Sequence, residues 1–265
     1  MKDYLRNEID PAFRRRAKVI IENIGNINSK QVLEVGCGRG FYLKTLISIC
    51  PKAKITGIEI NQKYVDNAKS NIKGVRVMKA DAHHLPFANN TFDRIIASEI
   101  LEHVDDDKKV LSEMFRVLKK KGEAVITVPN ANYPFSWDPL NWVLERLFNK
   151  HINSENWYFG GIWADHQRLY TDKKLSKLIK DVGFKIVKKW SSTHYCLPAA
   201  SFWFYGVGKH LVEAGIAKNF DRFDFDKKPG FLIKAVLWVI DLFDKINSDS
   251  EIGRSTVNLI YKISK

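Results

Sequence analysis

Over its first half the chain alternates short apolar runs with amphipathic stretches. QVLEV (31–35) is a compact apolar run that ends in a glycine cluster, the pattern of a buried strand entering a turn. FYLKTLISIC (41–50) then carries apolar residues at helical spacing. AKITGIEI (53–60) reads as a second strand and NQKYVDNAKSNI (61–72) as a helix with Asn61 at its N-cap. GVRVMKAD (74–81) and FDRIIASEI (92–100) give strands three and four. DDDKKVLSEMFRVLKKKG (105–122) predicts a helix with acids at its start, lysines at its end and a stopping glycine. EAVITVPN (123–130) is a fifth strand.

Strand and helix thus alternate, which predicts βαβ units and a mostly parallel sheet covered on both faces. Upstream, FRRRAKVIIENI makes residues 1–30 a polar helical segment. Downstream the period breaks. Residues 131–168 and 194–254 read as irregular, aromatic-rich stretches. Between them lie a helix, TDKKLSKLIKDVG, and a strand, FKIVKKWSS; STVNLIYKIS closes the chain as a strand.

Composition narrows the class. At 265 residues and 45% hydrophobic, the chain can bury one large core. Its net charge of +13 favours anionic partners without choosing among nucleic acid, anionic lipid and phosphorylated substrates. Cys37, Cys50 and Cys196 are odd in number and far apart, so a disulfide framework is not expected and a reduced, cytoplasmic setting is. The N-terminus shows no signal-peptide pattern, and no run approaches the ~20 apolar residues of a membrane span.

The chemistry concentrates after the first strand. Glu34-Val35-Gly36-Cys37-Gly38-Arg39-Gly40 reads E-x-G-x-G-x-G, where glycines let backbone approach a ligand. The strand's carboxyl end is the ligand edge of an open α/β sheet. A dinucleotide site would want G-x-G-x-x-G around a pyrophosphate. This loop departs from that spacing, and the Glu34 carboxylate would repel pyrophosphate and suit an ammonium. Glu59 ends the second strand about 20 residues after the glycines, placed to accept from both hydroxyls of a ribose.

With these motifs, VLEVGCGRGFYLKTL, ITGIEINQKYVDNAK, KADAHHLPFANNTFDRIIASEILEHV and EMFRVLKKKGEAVITVPN resemble the successive motifs of class I S-adenosylmethionine-dependent methyltransferases. The branch they most resemble is the small-molecule and lipid group that includes the ubiquinone/menaquinone methyltransferases. The resemblance is dense over residues 30–130. It implies a Rossmann-like α/β fold, a seven-stranded sheet of order 3-2-1-4-5-7-6 with strand seven antiparallel, strand six at 183–190 and strand seven at 256–263. It implies S-adenosyl-L-methionine as cofactor. Gly36, Gly38 and Gly40 would pack on its methionine and ribose, and Glu34 would lie near the ammonium. Glu59 would hold the ribose, Ile60 would lie against adenine, and Asp81 with Ala82 would meet the adenine amino group. Ser98 and Glu99 would line the methyl-transfer channel. Residues 1–265 then form one methyltransferase domain, with 131–168 an inserted lid and 194–254 an insertion between strands six and seven.

Methyl transfer needs alignment, and a base if the acceptor is a hydroxyl. His103 and His166 are the candidate bases, although each has an equally ordinary use in capping or packing. Base-amino enzymes carry an N-P-P-[YF] loop where this chain has Ser98-Glu99-Ile100-Leu101; the cytosine-C5 and ribose-2′-O signatures are likewise not recognisable. No metal-ligand cluster stands out.

The insertions hold Tyr133, Trp137, Trp142, Trp163, Phe202 and Trp203, followed by the helical segment PGFLIKAVLWVIDLFDKI with Lys227 and Lys228 before it. Three readings stay open: core packing, a lid or interfacial helix for an apolar acceptor on an anionic membrane surface, and nucleic-acid stacking. The expected activity is methyl transfer to a small or lipid-linked acceptor at oxygen or carbon. A tRNA/rRNA methyltransferase and a non-catalytic cofactor-binding partner subunit are the alternatives. The expected location is the cytoplasm, with membrane association as the variant that the helix allows.

Overall fold

The computed structural model describes residues 4–156, 158–208, 230–247 and 255–265. Of the second insertion, residues 209–229 and 248–254 lie outside this set, as do Lys227 and Lys228.

Seven strands form one sheet: β1 (Gln31–Val35), β2 (Lys54–Glu59), β3 (Arg76–Lys79), β4 (Phe92–Ser98), β5 (Leu118–Pro129), β6 (Lys185–Ser192) and β7 (Asn258–Ser264). Their order is β3-β2-β1-β4-β5-β7-β6. The pairs β1–β2, β1–β4, β2–β3 and β4–β5 are parallel. β7 runs the other way. Lys265 N donates to Gly122 O at the start of β5, and Asn130 N, just past its end, donates to Val257 O. Strands six and seven each begin two residues later than the resemblance implies.

The helices are α1 (Pro11–Asn23), α2 (Phe41–Ile49), α3 (Gln62–Asn71), α4 (Asp107–Val117), α5 (Pro139–Phe148), α6 (Asp172–Val182) and α7 (Phe231–Ile246). Caps set their starts. Asn61 accepts from Lys63 N at 3.0 Å, the cap read from the sequence. Asp106 accepts from Lys109 N at 2.8 Å. Asp10 Oδ1 accepts from Ala12 N and Phe13 N, which confines the N-terminal helix to Pro11–Asn23.

Two expectations are corrected. The helix over 105–122 ends at Val117, because Leu118 is fully buried and pairs with Phe92 as the first residue of β5. Residues 131–168 are not wholly irregular: α5 starts at an Asp138 N-cap with Pro139 in its first turn.

Two compact units emerge. One, comprising Ala17–Val128, Asp172–Lys189 and Ile260–Lys265, holds most of the sheet with α2, α3, α4 and α6. Within it, Asp172 binds Lys189 Nζ at 2.9 Å and accepts from the Tyr261 hydroxyl, tying α6 to β6 and β7. The other comprises Met1–Arg16, Pro129–Thr171 and Trp190–Leu259. Its core gathers Ala12, Tyr133, Trp137, Ile162, Leu169, Cys196, Ala200 and Val257. Several polar groups beside that core are paired within the unit. Tyr133 Oη and Trp163 Nε1 both donate to Glu145, and buried Asp138 accepts from Ile162 N at 2.9 Å and Asn141 Nδ2 at 2.8 Å.

Candidate cofactor site

The carboxyl ends of β1, β2 and β4 carry the sequence-predicted acids. Glu34 stands opposite Gly57 of β2 and Ile96 of β4, inside the sheet and 3% exposed. Burial pushes its carboxyl well above the usual carboxylate range, against the lowering effect of a bond from Leu43 N. Oε2 of Glu34 has no hydrogen-bond partner among the described residues. A buried carboxylate with one oxygen unmet costs free energy unless a cation or donor arrives.

The glycine loop is held by Glu59. Its Oε2 accepts from Gly38 N and its Oε1 from Asn61 N, both at 2.9 Å. Cys37 N donates to Ile58 O, so the loop is stitched to the end of β2. The three glycines divide by purpose. All have positive φ. A Cβ on Gly36 would lie 1.8 Å from Ile100 Cδ1, and one on Gly40 would lie 2.4 Å from Ile72 Cδ1. These two make room for the protein's own side chains. A Cβ on Gly38 would meet nothing within 4 Å, so Gly38 faces open space. Ile60, next to Glu59, is a large apolar side chain left 64% exposed.

Asp81 lies just beyond β3 with Ala82 beside it. Its Oδ1 accepts from His83 N at 2.9 Å and contacts His83 Nδ1 at 2.7 Å. The bond from His83 N is the largest influence on this carboxyl and holds it below its usual range; the imidazole adds to that. The His83 ring thereby helps to orient Asp81.

At the end of β4, Ser98 and Glu99 join a chain of hydroxyls. Tyr42 Oη lies 3.4 Å from Ser98 Oγ, Ser98 Oγ lies 3.1 Å from Thr127 Oγ1, and Thr127 Oγ1 donates to Glu99 Oε1 at 2.8 Å. Each hydroxyl has one proton, so its direction follows from the carboxylate end. Thr127 gives its proton to Glu99, Ser98 gives to Thr127, and Tyr42 gives to Ser98. Glu99 adopts φ of +55°, an uncommon angle for a side chain of its size. Tyr42 and Thr127 were not singled out in the sequence. The register of α2 after Gly40 and the β4–β5 pairing of Ser98 with Thr127 bring them in.

The two candidate bases fall in different units. His103 follows β4, its Nε2 3.8 Å from Glu102 Oε1 of the buried Glu102. His166 lies in the other unit, its Nδ1 2.5 Å from Ile162 O. That contact makes Nδ1 the protonated nitrogen and leaves Nε2 as the basic one.

Residues 33–126 match the methyltransferase domain family. The chain is 33% identical over 178 residues to a ubiquinone/menaquinone biosynthesis C-methyltransferase of Desulfotalea psychrophila, covering 64% of this chain and 72% of that protein. It is 33% identical over 191 residues to a demethylmenaquinone methyltransferase of Thermotoga maritima, covering 67% and 79%. Among solved structures, an S-adenosylmethionine-dependent methyltransferase from Thermotoga maritima superposes with a TM-score of 0.60 at 16% identity, covering 99% of this chain and 93% of that one; it speaks for the fold alone. The fold is that of a Rossmann-like methyltransferase. The chain belongs to the class I S-adenosylmethionine-dependent methyltransferases, in the branch that includes the ubiquinone/menaquinone-biosynthesis enzymes, and S-adenosyl-L-methionine is its cofactor.

Proposed function

We propose that this enzyme methylates a small apolar acceptor of the quinol or lipid type, at carbon or oxygen. The observation that carries the reading is the likeness to two relatives named for methyl transfer in quinone biosynthesis. The residues suit the cofactor. Glu34 offers an unmet buried oxygen to an ammonium, and Gly38 offers open space against which a ligand can lie. Glu59 presents two oxygens already oriented by backbone amides, suited to ribose hydroxyls. Asp81 with Ala82, and exposed Ile60, are assigned to the adenine; Ser98 and Glu99 are assigned to the methionine end. Gly36 and Gly40 shape the loop around it.

The cofactor supplies an activated methyl group. What this chain adds is alignment, and proton removal if the acceptor is a hydroxyl. His103 and His166 are the groups assigned to that removal. We read the chain as one methyltransferase domain whose insertions, 131–168 and 194–254, leave the sheet after β5 and β6 and select the acceptor. The test is an in vitro assay with S-adenosylmethionine and a short-chain demethylated quinol. Methylated quinol supports the reading. A preparation that binds S-adenosylhomocysteine yet methylates neither quinols nor lipid phenols contradicts it.

A further inference from the structure

We propose that α7 is an interfacial helix that seats the protein on an anionic lipid surface. The observation is an inverted amphipathic pattern. Phe231, Ala235, Trp238, Leu242 and Ile246 recur at intervals of three and four residues, and so share one helix face. That face points outward: Phe231 is 84% exposed, Trp238 64%, Ile246 61% and Leu242 42%. The helix is anchored from the opposite side, where Ile240 is only 2% exposed. A helix in water normally turns such a stripe inward. Here the apolar stripe is exposed, and none of the described residues covers it.

Charge identifies what covers it. Lys234, Asp241 and Lys245 line one edge of the stripe and are all exposed. Asp241 is paired with Arg14, whose Nη1 lies 2.7 Å from Asp241 Oδ1. The two lysines are therefore the net charge along that edge. An apolar stripe that carries Phe231 and Trp238 and is bordered by lysines matches a bilayer interface, with the rings at the acyl boundary and ammonium groups among anionic headgroups. A second copy of this chain meets the stripe less well, since self-pairing would bring the same lysines together. At 16 residues the helix is about 24 Å long, short of the ~30 Å hydrocarbon core, so it lies in the surface. Among the described residues no helix is long and apolar enough to cross a membrane.

This inference is independent of the acceptor, and the experiment keeps them apart. The full chain is co-sedimented, without acceptor, with vesicles of phosphatidylcholine alone or mixed with phosphatidylserine. The wild type should sediment with the mixed vesicles far more than with neutral ones. Trp238→Asp combined with Leu242→Asp should remove sedimentation with both. Lys234→Gln and Lys245→Gln should each weaken partitioning to the mixed vesicles about fivefold. S-adenosylhomocysteine binding should stay unchanged in all variants, which shows that they are folded. A wild type that does not sediment with anionic vesicles, or a Trp238→Asp/Leu242→Asp variant that sediments as before, overturns the proposal. So does a dimer in sedimentation equilibrium that these substitutions convert to monomer, which would assign the stripe to a second copy.

Discussion

Thr127 grips Glu99 twice: its Oγ1 donates to Glu99 Oε1 at 2.8 Å, and its carbonyl accepts from Glu99 N at 3.0 Å. Through these bonds β5 holds Glu99 at a positive φ and fixes the proton direction of the whole hydroxyl chain back to Tyr42. Thr127→Val keeps the shape and removes the donor. It should destabilise the fold by about 1–3 kcal/mol and weaken S-adenosylmethionine binding, while Thr127→Ser should restore both. Denaturant unfolding together with calorimetry checks this. Equal behaviour of the Val and Ser variants would show that the hydroxyl is not what matters.

The glycine loop supports a contrast between two single substitutions. Gly38→Ala adds a methyl group where nothing lies within 4 Å, at a φ of +50°. The backbone strain should cost about 1–2 kcal/mol. Cofactor affinity should fall by more than that strain explains, because the methyl group occupies ligand space. Gly36→Ala meets Ile100 in the protein itself, so its main effect should be on stability, about 1–3 kcal/mol for overpacking plus the same order of strain. Thermal unfolding and S-adenosylhomocysteine titration of both variants separate the two roles.

Glu34 links the site to pH. Burial raises its carboxyl, so the folded chain keeps this proton to higher pH than the unfolded chain does. The stability it contributes is full below the ordinary carboxylate range and is lost as pH rises through the raised folded value. Glu34→Gln removes that loss. The cofactor-free variant should be more stable than wild type at neutral pH, with the gap closing in acid. Binding a cationic cofactor favours the ionised form, so wild type should release a proton on binding and the variant should release less. Calorimetry in two buffers of different ionisation enthalpy reads the proton count, and identical counts would remove Glu34 from the ammonium site.

The strands were legible because they are short apolar runs separated by capped helices, whereas their order followed only from the family resemblance; the candidate site stood out because glycines and acids fall at strand ends. Three features were hidden for physical reasons. β5 begins at Leu118 because that side chain is buried against β4, a tertiary effect that overrides the helical look of its lysines. α5 was missed because its start signal, the Asp138 N-cap with first-turn Pro139, is masked by the surrounding aromatics. Tyr42 and Thr127 belong to the hydroxyl chain only through strand pairing and the placement of α2, which local spacing does not encode. The sequence also treated Gly36, Gly38 and Gly40 alike, although only the packed structure distinguishes the one that faces open space.

The acceptor class is the central claim, and one labelling experiment addresses it. The enzyme is incubated with methyl-labelled S-adenosylmethionine and a cell extract depleted of its own copy, and the extract is then separated into lipid, RNA and protein fractions. The account predicts label in the lipid fraction, carried on a quinol or phenolic lipid and lost with Glu59→Ala. Label in RNA or protein with an unlabelled lipid fraction would contradict it.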